Sequence, residues 1–292
     1  MYDKYNLILG GGGSRGLSHI GVLKALEKIN KPEKITGCSM GSIIAALFAI
    51  YENADIVRDK VSEVIDSKDF KKIKIEKGVN IFGSYFLLTL LYRRKYLASY
   101  EKIFKVLSTI IPPELNIEDL KIPVEFSVFD IKNGERLLIK KGNLIKAVIA
   151  SAAIPGVVES VNYDEKILVD GGVSGSVPFH GINIEKEKAI VIDVSYFPDS
   201  EKKLKSGLDI FYRSIEWQLY FFEKMDMEYH RNNKNILFLH PDVKNFRLKD
   251  FNIYDEIIAK GVECGKSNEE KIKKFLKKSW VARVLHFVNS KV

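Results

Sequence analysis

The fold is decided by residues 5–51, which read YNLILGGGGSRGLSHIGVLKALEKINKPEKITGCSMGSIIAALFAIY. Residues 5–9 are a short apolar run that predicts a buried strand, and the apolar positions of residues 14–29 recur at helical spacing. Residues 34–36 and 42–51 repeat the pattern of strand, glycine-containing loop and helix. Two such units in succession indicate an α/β fold with parallel strands.

The remaining sequence continues with strands and helices and contains no clear linker. Strands are predicted at 123–131, 135–140, 157–163, 166–169, 189–194 and 236–239, and helices at 55–74, 144–152, 206–230 and 254–287. There is no internal repeat and no low-complexity tract. We therefore predict a single domain over residues 1–292, with core motifs at about 5–195 and a helical C-terminal extension at about 200–292.

The chain carries a formal net charge of +8. This charge favours anionic partners, either nucleic acid or an anionic membrane surface, although a Lys-rich solvated surface accounts for it equally well. No run alternates basic with aromatic residues as nucleic-acid grooves do, so we expect no nucleic-acid partner. The two cysteines, Cys38 and Cys264, make neither a disulfide framework nor a zinc pattern. Together with the absence of a signal-peptide core, they predict a cytoplasmic protein.

Residues 79–95, VNIFGSYFLLTLLYRRK, combine an apolar stretch with three cations at its end. The stretch is too short and too interrupted to span a bilayer. A soluble core helix has this composition, and so does an interfacial segment whose apolar face enters the acyl boundary while its cations meet lipid phosphates. The second interpretation predicts peripheral contact with an anionic membrane, at its inner face, through about 79–95.

Residues 37–41 read Gly-Cys-Ser-Met-Gly, a G-x-S-x-G motif between a strand and a helix. A nucleophile elbow requires that context, and Gly37 and Gly41 supply the small residues that so tight a turn needs. The turn places the Ser39 hydroxyl at the positive end of the helix, where the Met40 N–H can donate to an oxyanion. The alternative is a helix start that Ser39 merely caps.

A second glycine-rich turn, Gly-Gly-Gly-Ser-Arg-Gly at residues 11–16, also lies between a strand and a helix. Gly11, Gly13 and Gly16 match the spacing of a dinucleotide fingerprint, but the acidic residue expected about twenty positions later is missing. A Walker A loop is excluded because no Gly-Lys-Ser/Thr follows. Exposed N–H groups in such a turn bind anions, so we expect an oxyanion hole or a phosphate cradle.

A serine nucleophile needs a base, and two candidate bases, Asp170 and His240, come at the ends of predicted strands. Asp170 ends a predicted strand and precedes Gly171 and Gly172, a position that projects into a site at the sheet edge, although Asp-Gly is also a common turn. His240 follows a strand and is the one histidine that resembles a triad member. His19, one turn into the first helix, is predicted to be a hydrogen-bonded core residue.

The order GGGSRG, GCSMG and DGG resembles the patatin-like phospholipase family. Residues 11–26 are similar to the family's opening, and residues 147–178 to the block around its catalytic aspartate, including the turn Ser-Ala-Ala-Ile-Pro. The resemblance covers about residues 5–195. The stretch 75–107 and the chain beyond about 200 match nothing that we can place.

The resemblance implies a three-layer α/β/α sandwich with a largely parallel central sheet. It also implies a Ser–Asp dyad without histidine, with Ser39 as nucleophile and Asp170 as base. The implied oxyanion hole comprises Gly11, Gly12 and Gly13, with Arg15 nearby, and the Met40 amide adds a further donor. Cys38 is then a small buried filler, and the scheme needs no metal and no cofactor.

The activity implied is hydrolysis of acyl esters, in phospholipids, lysophospholipids or neutral lipids, through a covalent acyl-enzyme. The same dyad would serve an acyltransferase that uses an alcohol or lysolipid in place of water. A lipid-binding or membrane-regulatory protein that keeps the fold without turnover is the alternative outside enzymes, and a nucleotide-binding protein is a third.

Overall fold

The structure is a computed structural model that describes residues 2–73, 96–195, 198 and 204–277. Its strands are β1 (Asn6–Leu9), β2 (Lys34–Cys38), β3 (Val124–Asp130), β4 (Glu135–Ile139), β5 (Val161–Tyr163), β6 (Lys166–Asp170), β7 (Ala189–Ile192) and β8 (Ile236–Leu239). Within the described residues they form one sheet in the order β5-β6-β3-β2-β1-β7-β8, and β4 pairs with β3 outside this path. Strands β3, β2, β1, β7 and β8 are parallel to one another, so the prediction of a largely parallel sheet is confirmed.

Most of the described helices lie close to predicted ones, but the predicted helix 55–74 is interrupted at residue 67 and the predicted helix 254–287 at residue 268, and residues 278–287 of the latter lie outside the described residues. The described helices are α1 (Ser18–Leu26), α2 (Met40–Tyr51), α3 (Ala54–Asp66), α4 (Lys68–Ile73), α5 (Tyr100–Leu107), α6 (Leu144–Ser151), α7 (Gly207–His230), α8 (Tyr254–Ser267) and α9 (Glu269–Leu276). The first predicted helix is divided, because a 3₁₀ turn over Gly13–Leu17 precedes α1.

Both faces of the sheet are covered, which explains why its central strands are apolar throughout. Leu7 and Leu9 of β1 belong to the large core beneath α1, α2, α6 and α8. Ile8 points to the other face and packs in a smaller cluster with Val177 and Phe179. Met227 of α7 closes that cluster. The α/β/α layering is therefore confirmed, with a thinner layer on the second face.

The C-terminal region contributes to the sheet as well as to the helical layer. Strand β8 pairs with β7 in parallel at the sheet's edge. Helix α8 approaches α1 backbone to backbone, because a Cβ built on Gly261 would lie 1.9 Å from the Ser18 carbonyl oxygen, and one on Gly21 would lie 2.2 Å from the Ile258 oxygen. The two glycines make this close packing possible. The region beyond about 200 thus holds α1 and the glycine loop before it in place.

Candidate active site

Strands β2 and β6 meet end to end along one edge of β3, and the candidate site lies where they meet. Cys38, the last residue of β2, pairs with Ser127, and Asp170, the last residue of β6, pairs with the next residue, Val128. The other edge of β3 is occupied by β4 over the same residues. Strands β2 and β6 therefore share one edge of β3 and point their C-terminal ends at each other. Ser39, which follows Cys38, is brought beside Asp170.

Ser39 occupies a strained turn between β2 and α2. Its backbone has φ 54° and ψ −122°, a conformation that non-glycine residues rarely adopt. A Cβ on Gly41 would lie 2.2 Å from the Leu9 carbonyl oxygen, and one on Gly37 would lie 2.7 Å from the Gly41 oxygen. Both positions therefore require glycine, as an elbow between a strand and a helix does. The Ser39 residue is buried, with 8% of its surface exposed.

The Asp170 carboxyl group interacts with the Ser39 side chain, and this interaction lowers the pKa of Asp170. The Gly172 N–H donates to Oδ1 at 2.8 Å, and the Cys38 thiol lies 3.8 Å from the same oxygen. Burial raises the pKa of Asp170 to about 6, and these hydrogen bonds lower it only in part. A carboxylate of this pKa can accept a proton near neutral pH.

The segment 151–153 fixes the backbones of both residues, a role that only the family's Ser-Ala-Ala-Ile-Pro turn could have suggested. The Ser39 N–H donates to the Ser151 carbonyl oxygen at 3.1 Å and to Ser151 Oγ at 3.2 Å. Ser151 Oγ in turn donates to the Ser127 carbonyl oxygen at 2.6 Å. The Asp170 N–H donates to the Ala153 oxygen at 3.0 Å. One short segment thus sets the spacing between the serine and the carboxylate.

The glycine loop lies against the elbow and carries unused donors. Among the described residues, the amides of Gly12, Gly13 and Met40 have no hydrogen-bond acceptor. Gly11 differs from the expectation, because its N–H donates to the Ser176 oxygen at 2.9 Å. A Cβ on Gly11 would lie 3.2 Å from Ser39 Cβ, so this glycine leaves room beside the serine rather than supplying an oxyanion donor.

Arg15 also departs from its expected place in the oxyanion hole. Its side chain is buried, and its Nε and Nη1 donate to the oxygens of Phe246 at 2.7 Å and Ser195 at 3.0 Å. Nη2 donates to the Lys244 oxygen at 3.2 Å. A guanidinium bound to three carbonyls fixes the glycine loop to the C-terminal segment, which makes Arg15 a positioning residue.

The remaining motif glycines allow close approach of neighbouring segments. A Cβ on Gly16 would lie 2.6 Å from Met40 Cγ, so this glycine lets the loop pack on the elbow. A Cβ on Gly171 would lie 2.5 Å from Ser127 Oγ. Gly172 has more room, and its contribution is the N–H that binds Asp170.

Among the described residues, no histidine forms a hydrogen bond with Ser39. His19 is fully buried, Nε2 donates to the Gly10 oxygen at 2.8 Å, and burial lowers the pKa of His19 to about 4, so the prediction of a hydrogen-bonded core histidine is confirmed. His240 Nδ1 lies 3.1 Å from the Asp193 carboxylate, and among the described residues neither Ser39 nor Asp170 bonds to it. The geometry does not support a triad through His240.

The described residues contain neither a candidate metal site nor a helix that could span a membrane. Among them, no group of three or more His, Cys, Asp or Glu side chains could hold a metal ion. No helix in this part of the chain is both long enough and apolar enough to cross a membrane.

The fold and the site together define an α/β protein in which a serine at a strained elbow faces a buried carboxyl group beside a glycine loop with unused amides. The family model for patatin-like phospholipases matches residues 7–182. The chain belongs to the patatin-like phospholipase family.

Similar proteins include lysophospholipase NTE1 of Meyerozyma guilliermondii, which is 26% identical over an alignment of 285 residues that covers 89% of this chain and 19% of that protein. Patatin-like phospholipase domain-containing protein 6 of Homo sapiens is also 26% identical, over 89% of this chain and 20% of its own length. The chain thus spans about a fifth of the length of these relatives. Among solved structures, VipD of Legionella pneumophila shares the fold, with a TM-score of 0.52 and 15% identity over 92% of this chain and 67% of VipD.

Proposed function

We propose that this protein is a serine acyl-ester hydrolase that acts on phospholipid or lysophospholipid esters through a Ser39–Asp170 dyad. The observation that carries the proposal is the interaction of the Ser39 side chain with the buried Asp170 carboxyl group, beside amides that have no acceptor among the described residues. Family membership supports the ester class, and the names of the relatives favour lysophospholipids.

The mechanism follows from the positions of these groups. Asp170 accepts the proton as Ser39 Oγ attacks the ester carbonyl, and a bond forms between Oγ and the carbonyl carbon. The amides of Gly12, Gly13 and Met40 donate to the oxyanion that develops. The proton passes from Asp170 to the departing alcohol or lysolipid, which leaves an acyl group on Ser39. Asp170 then activates a water molecule that hydrolyses the acyl-enzyme.

The products distinguish this function from its two alternatives. With a lysophospholipid as substrate, a hydrolase releases free fatty acid in an amount equal to the substrate consumed. An acyltransferase moves the acyl group to a second lysolipid and forms a diacyl product. A non-catalytic lipid-binding protein forms neither. Chromatographic separation of the products is the test, and the Ser39→Ala protein is the blank for chemistry at other residues.

The pH profile should report the ionisation of Asp170. Because the base must be ionised and burial raises its pKa to about 6, kcat/KM on a neutral short-chain ester is expected to be flat above that pH and to fall below it. The fall is about tenfold per pH unit well below the pKa. The contribution of Asp170 to the free energy of unfolding has the opposite pH dependence. Because the pKa of Asp170 is higher in the folded protein than in the unfolded chain, this residue stabilises the fold at low pH, and the contribution is lost as the pH rises through about 6.

The profile is measured as initial rates across the acidic range, with thermal unfolding recorded at each pH. The matched control is His240→Ala, which should leave the acidic limb unchanged. If His240→Ala changed the fall in kcat/KM at acidic pH, the base would be His240 and not Asp170.

We infer that the protein works in the cytoplasm at the inner face of a membrane, since the charge balance and cysteine usage favour that location. The predicted membrane segment 79–95 lies wholly outside the described residues, so this contact stays a prediction from the sequence.

A further inference from the structure

Helix α7 turns several charged residues toward the protein and several large apolar residues toward solvent. Arg213 and Glu216 are buried and form an ion pair at 3.0 Å. Glu223 receives hydrogen bonds from the hydroxyls of Ser176 and Ser195. A helix that only packs on a core shows the opposite arrangement.

The exposed side of α7 is rich in large apolar side chains. Phe222, Met225 and Tyr229 are 61%, 69% and 83% exposed, and their spacing of three and four residues places them on one helix face. Ile210 and Phe221 are also more than half exposed. Single exposed apolar residues are ordinary, whereas a continuous apolar stripe marks an interaction surface.

This face borders the candidate active site. The Ser176 hydroxyl bonds to Glu223, and the Ser176 carbonyl accepts the Gly11 N–H of the glycine loop at 2.9 Å. Ser195, also bonded to Glu223, offers its carbonyl to Arg15 at 3.0 Å. The inner side of α7 thus touches the segments that flank Ser39, and its outer side forms the protein surface there.

Exposed cations lie on α7, just before it, and on the segment that binds the glycine loop. Lys205 precedes α7 and Lys224 lies on it, while Lys244, Arg247 and Lys249 occupy the segment that Arg15 and Ser14 fix to the glycine loop. None of the five forms an ion pair with a carboxylate of the described residues. The acidic neighbours on α7 are already bonded, since Asp226 pairs with Arg136 and Glu228 with Arg231. The exposed carboxylate nearest in sequence to Lys244 is that of Asp242.

We propose that the outer face of α7 docks on an anionic lipid bilayer. Phe222, Met225 and Tyr229 enter the boundary between headgroups and acyl chains, and the cations meet lipid phosphates. In this proposal α7 lies parallel to the membrane surface. The inference rests on the proposed function for its lipid substrate, and it adds the surface through which the site faces that substrate.

Vesicle sedimentation tests the apolar face. Wild type is expected to bind vesicles of phosphatidylcholine with phosphatidylserine, and Phe222→Ser/Met225→Ser/Tyr229→Ser to bind them at least about tenfold more weakly. The single variant Phe222→Ser is compared with Ile56→Ser, because Ile56 is 41% exposed on α3, beyond the end of α2 that is far from Ser39. Ile56→Ser should bind as wild type does.

The cations are tested by charge reversal. Lys244→Glu/Lys249→Glu should weaken binding to these vesicles by more than about tenfold, at roughly 1 kcal/mol for each cation near the surface. The matched control is Lys186→Glu/Lys234→Glu, since both lysines are exposed and precede β7 and β8, at the opposite end of these strands from Lys244 and Lys249. Equal binding by both double variants would contradict the electrostatic part of the proposal.

The outcomes separate docking from catalysis. The α7 variants should retain the unfolding temperature and the hydrolysis of a soluble ester, and Ser39→Ala should bind vesicles as wild type does. Vesicle binding without any hydrolysis would overturn the proposed function and leave the docking surface standing. Wild type that ignores anionic vesicles, a triple variant that binds them equally well, or a wild-type dimer that the triple variant dissociates would each overturn the docking proposal.

Discussion

Replacement of Ser39 by alanine or of Asp170 by asparagine is expected to lower kcat/KM on a short-chain ester by about 10⁴-fold or more. Alanine removes the attacking oxygen. Asparagine keeps an oxygen for the Gly172 N–H, which donates at 2.8 Å in the wild type, but cannot accept the serine proton. Because the two residues act on the same step, the double variant should be no slower than the single ones.

The unfolding temperature and His240→Ala supply the controls for this experiment. Both single variants should unfold near the wild-type temperature, since neither change alters the size of a core side chain. His240→Ala should keep most of the activity, because His240 pairs with Asp193. A nearly active Asp170→Asn protein together with an inactive His240→Ala protein would replace the dyad by a triad.

Substitution of the glycine loop is expected to have the second largest effect. Gly13 has φ +55°, and a Cβ there would lie 2.4 Å from the Leu248 oxygen, while one on Gly12 would lie 2.7 Å from the Val194 oxygen. Alanine at either position must therefore shift the loop and its amides. Oxyanion donors are typically worth about 10²–10³ in rate, so kcat should fall by that factor with a smaller effect on KM.

The control for this prediction is another glycine of positive φ. Gly134, with φ +73°, has no atom within 4 Å of a built Cβ, so Gly134→Ala imposes a similar backbone cost away from the site. Gly134→Ala should keep its activity. If Gly13→Ala lost activity only in proportion to its stability, the loop would be a structural turn and no oxyanion donor.

The local parts of this architecture could be predicted from sequence, because their signals are local. The elbow at Ser39 and the glycine loop each consist of a strand end, small residues and a helix start within a few positions. Strand pairing across the chain could not be predicted in this way. The approach of Asp170 to Ser39 depends on β2 and β6 sharing one edge of β3, which no short motif encodes.

The direction in which each polar group points could not be predicted from the sequence either. Arg15 lies within the glycine motif, yet its guanidinium binds carbonyls more than 170 positions away, and the Gly11 amide is already used by Ser176. The length of α7 was predicted closely, but several of its large apolar residues, including Phe222, Met225 and Tyr229, face solvent. Periodicity alone locates an apolar stripe and does not say what covers it.

The central claim is that Ser39 forms a covalent acyl-enzyme, and labelling with a fluorophosphonate tests it most directly. The probe phosphonylates an activated serine, and mass mapping of the digested protein identifies the modified residue. We expect one label per chain, on Ser39, with none on the Ser39→Ala protein and much slower labelling of Asp170→Asn. A label on a different residue, or an unlabelled wild type that still hydrolyses esters, would contradict the claim.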